Sequence, residues 1–91
     1  GPHQLLQLVE EAGSLLGACR CMGISYSKGR RMVANLERHM GCPVLQRTRG
    51  GREGGASTVT GAGRKLIDSY DAFCREARDY LTELFPNYFS F

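Results

Sequence analysis

Ser25-Tyr26-Ser27-Lys28-Gly29-Arg30-Arg31-Met32-Val33-Ala34-Asn35-Leu36-Glu37-Arg38-His39-Met40 is the stretch that decides how this chain folds. Ser25 has the hydroxyl of an N-cap, able to accept from an unpaired amide of a first helical turn. After it, Tyr26, Gly29, Val33, Leu36 and Met40 recur at steps of three and four, which puts them on one face of a helix. Ser27, Lys28, Arg31, Asn35 and Arg38 fall on the opposite side, with Arg30 on the flank. The pattern predicts a helix with a buried back and a basic, donor-rich front. Such a front suits a DNA major groove, where Arg and Lys meet guanine edges and phosphates. A solvated surface helix would show the same charges, so the neighbouring sequence has to decide.

Upstream, Leu5, Leu6, Leu8 and Val9 give an apolar side to a helix over His3–Ala12, and Gly13 closes it. Ser14 caps a short helix over Leu15–Met22, Gly23 breaks it, and Ile24 plugs the turn before Ser25. Two helices meeting at a glycine-containing turn, the second with a cationic front, read as a helix-turn-helix. Ala18, Cys19 and Met22 are the residues expected to pack its first member against its second.

Downstream, Gly41-Cys42-Pro43 ends the helix, and Val44–Thr48 alternates as a short strand. The run Arg49–Ala56 is too rich in glycine for a regular element, and Ser57-Thr58-Val59 is a β-prone return strand. Together they predict a hairpin wing with a basic loop. Thr60 caps a last helix, Gly61 to about Leu84, which Pro86 is expected to end. In it Leu66, Tyr70, Phe73, Ala77, Tyr80 and Leu84 alternate by four and three, a heptad seam. Short helices of the same chain cannot cover so long a seam, whereas a second copy can, so the reading is a homodimer through an antiparallel or crossed helix pair. The alternative is a helix lying across its own domain. The tail 85–91 carries four aromatics and either folds back or docks a partner.

The expected fold class is therefore mainly α with a small β-hairpin: a winged helix-turn-helix with a long C-terminal dimerisation helix. Residues 3–60 form the winged domain, 61–84 the dimerisation helix and 85–91 the aromatic tail. Gly1-Pro2 reads as the scar left by tag removal.

The totals agree with this. The chain has 91 residues, enough for one domain with a modest core. Its net charge is only +3, but from Arg20 to Arg52 eight bases stand against the single acid Glu37. After Gly61 the charges balance. A positive middle points one surface at a polyanion. No stretch is long and apolar enough to cross a bilayer and no signal peptide is visible, so a cytoplasmic location is expected. Cys19, Cys21, Cys42 and Cys74 fit no disulfide framework, and reduced thiols suit that compartment.

The order of elements and several words of sequence resemble the N-terminal domain of the ModE-type molybdate-responsive regulators and, more loosely, the LysR-type winged helix. The words are Glu11-Ala12-Gly13-Ser14, Met22-Gly23-Ile24-Ser25-Tyr26, Gly50-Gly51-Arg52 with Gly54-Gly55, Thr60 with Gly63, and Leu66-Ile67 with Tyr70. The resemblance covers about Leu5 to Leu84. It implies a sequence-specific, double-stranded DNA-binding transcription regulator of bacteria, and the symmetry of the expected homodimer adds an inverted-repeat operator. Two departures stand out: Arg30 takes the place of a tryptophan usual in the family, and no molybdate-binding domain follows. A free-standing regulator and a piece of something longer both fit, and no small-molecule effector site or cofactor is expected.

Ser27, Lys28 and Arg31 are the expected base contacts. Ser14, Ser25, Tyr26, Arg30, Arg38, Thr60 and Lys65 are expected at the DNA backbone or the flank of the helix. Arg49, Gly50, Gly51 and Arg52 form the wing contact. Cys19 and Cys21 would point about 200° apart on a helix, which disfavours a shared metal or redox site, and neither His3 nor His39 adds a zinc spacing. No nucleophile with a base, no paired acids and no phosphate loop suggest an enzyme. Two other readings stay open: a winged-helix protein adaptor without a DNA site, and a thiol- or metal-responsive regulator.

Overall fold

Ser14, Ser25 and Thr60 each start a helix. Their side-chain oxygens accept from the amides of Gly17 at 2.9 Å, Lys28 at 3.1 Å and Gly63 at 3.1 Å. Each bond satisfies one of the donors that a helix leaves unpaired at its start, and such a cap is worth about 1 kcal/mol. The computed structural model describes residues 1–48 and 56–90. The elements run α1 (Pro2–Ala12), α2 (Leu15–Met22), α3 (Tyr26–Met40), β1 (Leu45–Arg47), β2 (Ser57–Val59) and α4 (Gly61–Tyr88).

Gly13 and Gly23 end α1 and α2 with φ of 77° and 70°. Residues with a Cβ rarely adopt this left-handed conformation, so these two positions make the tight turns of the motif. β1 and β2 pair antiparallel in the register Leu45↔Val59, Gln46↔Thr58 and Arg47↔Ser57. The strand expected over Val44–Thr48 is shorter, Leu45–Arg47, and Val44 just before it is a fully buried core residue. Its amide donates to Glu37 Oε2 at 2.8 Å, and its carbonyl accepts from Thr60 N at 3.0 Å.

The core draws on every helix: Leu5, Leu6 and Val9 of α1, Leu15, Ala18 and Cys19 of α2, Val33 of α3 and Ile67 of α4, with Val44 beside them. At two places the packing leaves no room for a methyl group. A Cβ on Gly29 would overlap Cys19 Sγ, and one on Gly63 would lie 2.6 Å from the carbonyl oxygen of Val44. Gly29 thus lets α3 sit directly on α2, and Gly63 lets α4 reach the entry of the hairpin.

α4 runs antiparallel to α1 over its first turns. Arg64 joins Glu10 across the helices and Asp68 on its own, the latter at 2.8 Å. Gln7 Nε2 donates to Asp71 Oδ2 at 3.3 Å, and the His3 and Tyr70 rings stack at 3.8 Å. Beyond Asp71 the helix projects. Twenty-eight residues at about 1.5 Å each give a rod of about 42 Å, within a molecule 59 Å along its longest axis.

Two expectations about α4 need correction. Pro86 does not end the helix: α4 continues through it to Tyr88, so the boundary falls beyond Leu84 and Phe85–Tyr88 is helix rather than tail. Pro86 lies within a turn of the end, where its missing N–H removes one bond. The Phe89 amide still donates to the Phe85 carbonyl at 3.0 Å, and the two rings stack at 4.7 Å. At its other end, the seam is not uniformly free. Leu66 packs against the chain's own core and Tyr70 against His3, so the first two seam positions serve α4's docking on α1.

Candidate nucleic-acid interface

The front of α3 is set by its back. Gly29 and Val33 are buried, and Tyr26, Met32, Leu36 and Met40 are half-buried against the core. Helical geometry then turns Ser27, Lys28, Arg31, Asn35 and Arg38 outward, and all five are exposed. The structure brings the three expected base-reading residues onto this one surface, with Arg38 two turns further along it. Among the described residues the ion pairs are those of Arg64 alone. Among these residues the cations of α3 therefore have no carboxylate partner.

Ser14 and Ser25 use an oxygen lone pair to cap, which leaves each hydroxyl proton for an outside acceptor. Thr60 differs. Its hydroxyl accepts from Gly63 N and also donates to the Pro43 carbonyl at 2.7 Å, so its one proton is already committed within the fold. Lys65 is exposed at the start of α4. Tyr26 and Arg30 are in mutual contact, the guanidinium carbon lying 5.9 Å from the ring centroid. The wing residues Arg49, Gly50, Gly51 and Arg52 lie outside the described residues.

Sequence reasoning missed three contributors. Glu37, the lone acid of the basic stretch, turns inward, and its Oε2 accepts from Val44 N at 2.8 Å and Leu45 N at 3.5 Å. It fastens the start of the hairpin, at Val44 and Leu45, to α3. The signal was its place beside Leu36 on the inner flank. Arg47, in sequence one cation among eight, donates from Nη2 to Tyr26 Oη at 3.4 Å. Arg64 was read only as part of the balanced C-terminal charge, yet it ties α1 to α4.

The cysteines separate as the helical spacing requires. Cys19 is buried and Cys21 exposed. Burial pushes the Cys19 thiol up from its ordinary value, partly opposed by a hydrogen bond from the Gly29 backbone. Among the described residues no group of three or more His, Cys, Asp or Glu is placed to hold a metal ion. Nor is any helix among them long and apolar enough to cross a membrane.

The family model for bacterial regulatory helix-turn-helix proteins of the LysR family matches residues 3–64, from α1 to the first turn of α4. The chain belongs to the LysR family. Among its relatives, the molybdenum-pterin-binding protein MopB of Rhodobacter capsulatus is 35% identical over 68 residues, which make up 75% of this chain and 25% of that protein. The molybdenum transport protein ModE of Azotobacter vinelandii is 28% identical over 81 residues, or 89% of this chain and 30% of that one. The chain thus spans about a quarter to a third of these relatives' length.

Solved LysR-family structures share the fold. The CbnR DNA-binding domain, determined in complex with DNA, superposes with a TM-score of 0.68 at 21% identity, covering 90% of this chain and 88% of that one. Full-length LysG of Corynebacterium glutamicum gives a TM-score of 0.65 at 26% identity, over 96% of this chain and 29% of its own. The LysR-family winged helix is therefore the architecture of this chain, with α3 in the place of the motif's second helix and α4 as the long helix that follows the hairpin.

Proposed function

We propose that this chain is the DNA-binding part of a bacterial transcription regulator that binds double-stranded DNA as a homodimer. The observation that carries the reading is the outward face of α3. Ser27, Lys28 and Arg31 stand exposed, with no ion pair among the described residues, on a helix whose opposite side is locked into the core. A major groove admits a helix of this shape, and a bidentate Arg–guanine contact discriminates by about 1–3 kcal/mol. Tyr26, Arg30, Arg38, Ser14, Ser25 and Lys65 are assigned to phosphates, contacts that add affinity without sequence information. Thr60 contributes by holding the start of α4, its hydroxyl proton being committed to the Pro43 carbonyl. That the related CbnR domain was solved on DNA supports this choice of partner.

The homodimer rests on the projecting part of α4. Phe73 is 68% exposed and Tyr80 64%, with Leu81 at 61% beside them. Burying such a side chain contributes about 1.5–3 kcal/mol, and a second α4 offers a matching stripe. Two-fold symmetry then implies an inverted-repeat operator with half-sites about one or two helical turns apart. A regulator of this kind works beside the chromosome, in the cytoplasm.

Selection of bound fragments from random duplex DNA tests the proposal. An enriched inverted repeat, with binding to it lost more than binding to random duplex in Arg31→Ala, is the expected result. Recovery of no preferred sequence would overturn the sequence-specific reading.

A further inference from the structure

Tyr26 touches two arginines that come from different elements. Arg30, one turn along α3, has its guanidinium 5.9 Å from the centre of the Tyr26 ring. Arg47, on β1, donates from Nη2 to the Tyr26 hydroxyl at 3.4 Å. The same two arginines line one shallow pocket of about 170 Å³ between α3 and the hairpin. Glu37 also borders this pocket, but its Oε2 is taken up by the amides of Val44 and Leu45. Among the described residues neither arginine pairs with a carboxylate. Two guanidinium groups from different elements are therefore held on a single aromatic post, and the one carboxylate among the described residues that borders the pocket, Glu37, is engaged by backbone amides.

Resting on the DNA-binding reading, we propose that Tyr26, Arg30 and Arg47 form a clamp for one phosphodiester of the DNA backbone, with Tyr26 as the positioning residue. Two guanidinium forks offer paired donors to the oxygens of one phosphate. The Tyr26 oxygen accepts from Arg47, which leaves its own proton to donate to the same anion. The clamp adjoins the exposed face of α3, so a strand whose phosphate sits there has its neighbouring base edges at Lys28 and Arg31. Because Arg47 comes from the hairpin and Arg30 from the helix, the bound phosphate joins the two elements that must be held at a fixed angle.

The test is a fluorescence titration of the full chain on a short random-sequence duplex over a series of salt concentrations. Circular dichroism checks that each variant is folded. Arg47→Ala should weaken binding about tenfold and flatten the salt slope by about 0.9, the share of one phosphate. Arg47→Lys keeps the charge without the fork, so it should retain the slope while losing affinity. Tyr26→Phe removes only the hydroxyl, and should weaken binding several-fold without changing the slope. The double variant Tyr26→Phe/Arg47→Ala should lose less than the product of the two single losses, because one hydroxyl serves both.

Strictly multiplicative losses, or an Arg47→Ala slope equal to that of the wild type, would overturn the clamp while leaving the regulator reading intact. Saturable binding of inorganic phosphate alone would reassign the pocket to a soluble anion and also overturn it. A wild-type chain that binds no duplex at any salt concentration would sink the regulator reading, and the clamp with it.

Discussion

Gly29 of α3 lies directly against Cys19 of α2, so close that a methyl group on Gly29 would overlap the cysteine sulfur. This contact sets the distance between the two helices of the helix-turn-helix. Gly29→Ala gains about 1 kcal/mol of helix propensity but overpacks a buried site at a cost of about 1–3 kcal/mol, so a net loss is expected. Cys19→Ala removes the obstructing sulfur. Urea denaturation of both single variants and the double should show the pair more stable than the sum of the singles, with a coupling of about 0.5–3 kcal/mol.

Glu37 is expected to matter more for stability than any exposed charge. Its carboxylate is the acceptor for Val44 N and Leu45 N. Glu37→Ala leaves the Val44 amide, at a fully buried residue, without its partner, at a cost of about 1–3 kcal/mol. Glu37→Gln keeps an acceptor oxygen and should lose less. Thermal melts of the two variants check the order.

The Cys19 thiol gives the fold a dependence on alkaline pH. Because burial raises its value in the folded state, the folded chain keeps a proton that the unfolded chain releases first. The corresponding stability is whole below the ordinary thiol range and is lost as pH rises through the raised folded value. As pH rises above the ordinary thiol range, Cys19→Ala should lose less stability than the wild type in denaturant titrations. A thiol reagent at neutral pH should modify Cys21 well before Cys19, since the first is exposed and the second buried.

Phe73 and Tyr70 sit one helical turn apart on the same seam and should answer differently to mutation. Tyr70 stacks on His3 within the chain, while Phe73 is 68% exposed. Phe73→Glu is expected to change the stability of the isolated chain by no more than about 0.5 kcal/mol, yet to convert a dimer to a monomer in sedimentation and weaken DNA binding. Tyr70→Ala should lower stability as well. A wild type that sediments as a monomer would remove the basis for the seam.

Much of this architecture could be read in advance because it is written in local signals. The three caps, the three- and four-residue apolar steps and the glycine turns placed the starts of α2, α3 and α4 and the outward face of α3. They placed β2 as well. What could not be read depends on contacts between residues far apart in the chain. Glu37 looks like an ordinary charge until Val44 and Leu45 are folded against it. Arg47 looks like one more cation until Tyr26 stands beside it. The end of α4 was misread for a local reason of another kind: a proline near the last turn removes only one bond, and the Phe85–Phe89 pair supports the helix on either side of it. The resemblance to molybdate-responsive regulators pointed to relatives that the family comparison also found.

DNA binding by this chain requires a cationic α3 surface that a duplex can occupy. Titration of the wild-type chain against a random-sequence duplex, followed by fluorescence anisotropy at about 50 mM and about 200 mM salt, measures this most directly. Neutralisation of about six phosphates or more implies a loss of affinity of roughly a thousandfold or greater between the two conditions. Absence of any binding at the lower salt, or an affinity indifferent to salt, would contradict it.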